Sequence, residues 1–183
     1  PFSLLTFALE YQIFGENPAI SHLINILLYA FTGIVLFLLL LKLLQPRFAN
    51  DPFALFFLSG ISTLIFLAMP VHTEVVANIK GRDEIFSLLG SLGVFYYLLK
   101  AMGPTNLKSG PLDAKMSDKG ANNTLLSLSL SGLFFFMALL SKENAITFLA
   151  IIPVGLVLLQ GRPIGKVLGN MLPIFAATIV FIM

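Results

Sequence analysis

The sequence predicts an all-α fold, a polytopic bundle of transmembrane helices preceded by an amphipathic interfacial helix. Three observations carry this prediction. The 183 residues are 57% hydrophobic and only 11% charged, with a mean hydropathy of +0.94, a balance foreign to soluble globular domains. The apolar residues fall into runs close to the ~20 that a helix needs to cross a bilayer core. Short polar connections separate these runs and collect most of the charge.

Within residues 1–16, Leu4, Leu5, Ala8, Leu9, Ile13 and Phe14 recur at helical spacing while Thr6, Glu10 and Gln12 are polar. This pattern predicts a helix lying along the membrane interface, ended by Gly15 and the turn signal Asn17-Pro18. Membrane helices follow at 19–44, 53–69, 85–102, 124–140 and 145–159, with a sixth, truncated one at 167–183. Residues 103–123, "GPTNLKSGPLDAKMSDKGANN", read as a flexible cytoplasmic loop. The chain opens on Pro1 and stops at Met183 within an apolar run, so it reads as a fragment carrying part of a longer transmembrane domain.

Lys and Arg set the orientation, because cytoplasmic loops carry their excess. With the first span running inward, Lys42, Arg47, Lys100, Lys108, Lys115, Lys119, Arg162 and Lys166 fall inside. Lys80, Arg82 and Lys142 stay outside, together with His22, His72, Glu10, Glu16, Glu74, Asp83, Glu84 and Glu143. The outer cations lie beside carboxylates, Lys80 and Arg82 near Asp83 and Glu84, and Lys142 beside Glu143, so the outer face looks like a site.

Some chemistries are excluded. The chain has no cysteine, which removes thiolate metal sites and cysteine nucleophiles. It has no basic run with aromatic interleaving, so nucleic acid is not a partner. His72 and Glu74 are two possible metal ligands without a third at recognisable spacing, and no metal is expected. Small residues Ser87, Gly90, Ser91 and Gly93 in the third span, and Ser127, Ser131 and Gly132 in the fourth, suit close helix packing.

Two stretches concentrate the outer charge. "MPVHTEVVANIKGRDEIF", residues 69–86, places His72, Glu74, Lys80, Arg82, Asp83 and Glu84 at the membrane rim. Ionisable groups there are costly unless paired or wet, and they mark substrate or ion paths. A plainer account has Asp83 and Glu84 favouring a helix N-terminus with Lys80 paired to Glu84, which leaves His72, Glu74 and Arg82 unexplained. "LLSKENAI", residues 139–146, is a short turn that makes a helical hairpin and fixes Lys142 and Glu143 outside. Cations and carboxylates at the mouth of an apolar helix bundle suit a substrate with a phosphate head and a hydrocarbon tail.

These residues carry a family resemblance. "PFSLLTFALEYQIFGENPAISHLINILLYA" resembles the RPL-x-x-L-T-F, F-G-x-x-P and H-L-x-N-x-L-L-H-A pattern of GT-C membrane glycosyltransferases, especially the transmembrane-and-TPR O-mannosyltransferases (TMTC) and their bacterial relatives. "MPVHTEVVANIKGRDEIFSLLGSL" is similar to their H-P-V-H-T-E-x-V-A-x-I-x-G-R-x-E segment, and "LLSKENAITFL" to their L-x-x-K-E-x-x-I-T segment. Met69 and Tyr29 stand where the family pattern has His.

The resemblance implies a sugar, such as mannose, passing from a polyprenyl-phosphate donor to a hydroxyl of a protein or glycan. The site would face the periplasm of a bacterial inner membrane or the lumen of the endoplasmic reticulum. It implies Lys80, Arg82 and Lys142 as donor-phosphate contacts, with His72, Glu74, Asp83, Glu84 and Glu143 on the acceptor side or supporting those cations. It also implies a catalytic acidic residue in a loop upstream of Pro1. A transporter or lipid flippase is the alternative, disfavoured because the charges lie at one surface and not at the midplane. A non-catalytic scaffold of the same fold is the other.

Overall fold

A computed structural model describes residues 2–103 and 120–183, and the described residues contain helices and no strand. In chain order these are α1 (Phe2–Phe14), α2 (Pro18–Leu44), α3 (Pro52–Ala68), α4 (Val71–Ala77), a 3₁₀ turn (Ile79–Gly81) and α5 (Arg82–Met102). After them come α6 (Gly120–Ser141), a second 3₁₀ turn (Glu143–Thr147), α7 (Phe148–Gln160), α8 (Ile164–Asn170) and α9 (Leu172–Ile182). Among the described residues four helical segments are long and apolar enough to cross a membrane, or six if each bent pair is one span. The bends are 65° between α3 and α4, and 49° between α8 and α9. The 103–123 connection lies, over residues 104–119, outside the described residues.

Local sequence explains the helix starts. Asn17 and Asp51 each precede a proline at the first helical position, where its missing N–H costs nothing. Their side chains accept hydrogen bonds from Ala19 N at 3.2 Å and Ala54 N at 2.9 Å, satisfying N–H groups that the helix leaves free.

The bundle buries small and polar side chains beside an apolar core and turns many other large apolar side chains outward. α5 is the most enclosed long helix, with half of its apolar window buried against 22–33% for the other three. It packs along α6 at Gly90, where a Cβ would lie 2.9 Å from the Phe134 carbonyl oxygen and from Ala138 Cβ. That approach is open to glycine and needs a shift for anything larger. Ser87 and Ser91 of α5 and Ser127 and Ser131 of α6 are buried as well. Val94, Leu98, Phe135, Ala138 and Leu139 make the adjoining apolar core, which Ile152, Leu156, Met171 and Ile174 extend. Phe53, Phe56, Phe57, Leu64 and Ile65 of α3 face outward, as suits hydrocarbon.

α7 does not fold straight back on α6 as the expected hairpin. The five-residue 3₁₀ turn carries it across to α2, and Gly155 lets it meet the ring of Phe95.

At the end of the bundle opposite this turn, cations meet the last carbonyls of helices. Arg47 donates to Leu158 O at 2.6 Å, and Arg162 to Met102 O at 3.1 Å and to Gly103 O. These carbonyls have no partner within their own helices and carry the negative end of the helix dipole.

Candidate functional site at the charged rim

The other end of the bundle gathers α1, the start of α2, the α3–α4 bend, the first 3₁₀ turn, the start of α5 and the end of α6. Pro70 follows the last residues of α3 and the chain turns into α4. Asn78 then caps the 3₁₀ turn, its Oδ1 accepting from Lys80 N at 3.1 Å. Gly81 folds so tightly on α4 that a Cβ there would lie 2.0 Å from Val75 O. Glycine is required there by space, since its backbone is right-handed with φ −60°. Asp83 Oδ1 accepts from Glu84 N at 2.8 Å in the first turn of α5.

Arg82, only 1% exposed, is the centre of a closed polar network. Its Nη2 lies 2.7 Å from Glu10 Oε2 and donates to Ser21 O at 3.4 Å. Its Nε donates to Asn25 Oδ1 at 3.0 Å, and its Nη1 to Thr6 Oγ1 at 3.5 Å. The guanidinium also sits over the Phe7 ring, 4.2 Å from its centroid. Ser21 Oγ donates to Glu10 Oε1. Asn25 Nδ2 reaches the Asn78 and Ile79 carbonyls at 3.2 and 3.3 Å, tying α2 to the turn that carries Lys80. Burial alone would raise the Glu10 carboxyl, but the Ser21 hydrogen bond and Arg82 outweigh it and hold it below its ordinary value.

α1 therefore turns its polar side inward. Ser3 and Glu10 are buried while Leu4, Leu5, Leu9, Tyr11, Ile13 and Phe14 are exposed.

His72 stands between two clefts. Its ring lies 4.4 Å from that of Phe66 and 5.9 Å from that of Tyr29, whose hydroxyl donates to Leu67 O at 3.1 Å. One cleft, about 490 Å³, is lined by His22, Ile26, Tyr29, Leu67, His72 and Val76 among others. The second, about 250 Å³, has Tyr29, Thr32, Phe66, His72, Ile85 and Glu84 in its wall. Both are apolar slots with a few polar groups, the usual make-up of a small-molecule site.

Glu84 pairs with Lys142 from the turn after α6. The Glu84 hydrogen bond chiefly raises the Lys142 ammonium, assisted by the charges of Glu84, Asp83 and Glu143 and opposed by burial. Lys80, Glu74 and Glu143 are exposed.

The structure thus brings together His72, Glu84 and Lys142, with Asp83 and Glu143 beside them. It turns Arg82 inward and leaves Lys80 and Glu74 on the open side of the turn. Sequence reasoning missed Ser21, Asn25 and Thr32 and gave Glu10 and Tyr29 no role at the site. Ser21, Asn25, Tyr29 and Thr32 recur at helical spacing along an otherwise apolar span, and that stripe was the available signal. Among the described residues no group of three or more His, Asp or Glu is placed to hold a metal.

Fold and rim together define a multi-pass helical membrane protein with a charged site at one end of its bundle. Over 171 residues it is 32% identical to protein O-mannosyl-transferase TMTC4 of Mus musculus, covering 88% of this chain and 21% of that protein. It is 31% identical over 106 residues to TMTC3 of Homo sapiens, covering 58% and 10%. With Tmtc3 of Drosophila melanogaster it shares 27% over 165 residues, covering 82% and 16%. The chain is a TMTC-like relative of the GT-C class, as its three motifs suggest. It spans roughly a tenth to a fifth of the length of these curated relatives. No family model matches the chain, and no solved structure matches it.

Proposed function

We propose that this chain is part of a membrane glycosyltransferase that moves a hexose, such as mannose, from a polyprenyl-phosphate donor to a hydroxyl of a protein or glycan. The observation that carries this reading is the Glu84–Lys142 pair at the wall of an apolar cleft, with exposed Lys80 on the neighbouring turn. The printed names of the relatives supply the reaction type. The site faces the periplasm or the lumen of the endoplasmic reticulum, the side that the lysine and arginine bias leaves poor in cations.

In this reaction the acceptor oxygen bonds to the anomeric carbon and the bond from that carbon to the phosphate oxygen breaks. The electron pair leaves with the lipid phosphate, and the acceptor proton passes to a base. A departing phosphate needs cations placed before the bond breaks. Lys80 and Lys142 meet it from the rim, and Arg82 supports them from behind with its donors turned into the protein. His72, with Glu74 and Glu143 on the open side, shapes the acceptor approach. The resemblance gives the base to a carboxylate in a loop ahead of this chain's residues.

The test uses the full-length protein in vesicles with labelled polyprenyl-phosphate mannose. Lys80→Ala with Lys142→Ala is expected to lower donor binding and transfer together. Donor binding and transfer that survive both substitutions would overturn this assignment.

A further inference from the structure

We infer that Glu10 and Asn25 are positioning residues, which fix the placement of the Lys80 turn by holding Arg82 from α1 and α2. The inference rests on the reading of that turn as the phosphate side of the site. Arg82 is the first residue of α5, and the turn precedes it directly. The guanidinium is fixed at Nε by Asn25 and at Nη2 by Glu10. Asn25 grips the same turn a second time through the Asn78 and Ile79 carbonyls. Gly81 is pressed on Val75, so the turn has no slack on its α4 side. Lys80 thus sits on a backbone fastened from two sides, while its own side chain remains exposed.

A carboxylate and a phosphate offer a guanidinium the same kind of oxygen partner. This gives the inference a rival with the opposite sign: Glu10 could fill a place that donor phosphate takes. If Glu10 positions, its loss loosens the turn and weakens the donor. If Glu10 competes, its loss strengthens the donor.

The experiment compares Glu10→Gln, Asn25→Ala and, as a packing control remote from the rim, Gly132→Ala in the full-length protein. Gly132 lies where a Cβ would come 3.0 Å from Pro173 Cβ. Transfer is followed with labelled polyprenyl-phosphate mannose, and backbone hydrogen exchange is followed over residues 78–86. Glu10→Gln and Asn25→Ala are expected to raise donor KM by roughly tenfold with a much smaller change in kcat, the scale of one lost hydrogen bond to a charged group. Both are expected to speed exchange over 78–86. Gly132→Ala is expected to lower the active fraction and leave KM and that exchange unchanged. A fall in donor KM with Glu10→Gln would overturn the inference in favour of the competitor. Unchanged exchange over 78–86 would overturn it whether or not transfer is seen. Absence of transfer by the unaltered protein overturns the proposed reaction, while the exchange result still decides whether Glu10 places the turn.

Discussion

Lys142 closes on Glu84 from 58 residues further along the chain, although Lys80 lies only four residues before Glu84. Helical spacing alone would pair Lys80 with Glu84. Lys80, however, belongs to the 3₁₀ turn ahead of α5 and is outside that helix's register.

The two lysines should therefore differ in reactivity. Lys80 is exposed, whereas the Lys142 ammonium is hydrogen-bonded and its pKa is raised. Limited acylation near pH 8 is expected to modify Lys80 first, read by mass spectrometry. Glu84→Gln should bring the Lys142 rate toward that of Lys80. Equal rates in the unaltered protein would contradict the pairing.

The Glu84–Lys142 pair should add little to stability, since its side chains are 39% and 30% exposed. A double-mutant cycle with Glu84→Gln and Lys142→Met is expected to give a coupling of about 1 kcal/mol or less, reduced by salt. A larger, salt-insensitive value would show a drier site.

Arg82 stands at the other extreme. Removing one partner of a buried ion pair strands the other charge, so Arg82→Ala should destabilise the fold by about 3–5 kcal/mol. Arg82→Lys should recover only part of this, because an ammonium cannot serve Glu10, Ser21 O and Asn25 in one planar fork. Thermal denaturation in one fixed detergent compares the variants.

The Glu10 carboxyl has a depressed pKa in the fold, so its contribution is complete above the ordinary carboxylate range. It is lost as pH falls through the lower folded value. The docking of α1, followed by hydrogen exchange over residues 2–14, should loosen on acidification below that range. Glu10→Gln should remove this pH dependence and give weaker docking throughout.

Gly81→Ala should be among the costliest single-methyl additions, because its Cβ would overlap the Val75 carbonyl at 2.0 Å. Expected results are a lower melting temperature and faster exchange across α4 and the turn. A neutral outcome would show that the turn can move away from α4.

The spans were legible because hydropathy reports helix length directly, as for α2 and α5. Asn17-Pro18 was read only as a turn signal, and the structure makes Asn17 and Asp51 the caps of α2 and α3. The bend after α3 was not read, because α4 beyond Pro70 is a seven-residue helix with no periodicity long enough to read. At the rim, charge type and order singled out His72, Glu84 and Lys142 as candidates, and the fold sets them near one another. What stayed hidden was partnership across the fold. Arg82 looked like a substrate ligand because its acceptors, Glu10, Ser21 and Asn25, come from two earlier helices. The helix α1 read as interfacial from the helical spacing of its apolar residues, and the structure turns Glu10 toward α2 and α5.

That inward-facing polar side also sets an order of assembly. Arg82 follows Ser21 by 61 residues, so α1 and α2 emerge from the ribosome before their common cation exists. Until α5 arrives, Glu10 has the Ser21 hydroxyl but no cation beside it, and an unpaired carboxylate is poorly tolerated in hydrocarbon. An ionised Glu10 therefore keeps α1 at the aqueous boundary until α5 supplies Arg82, although α1 is made first of the two.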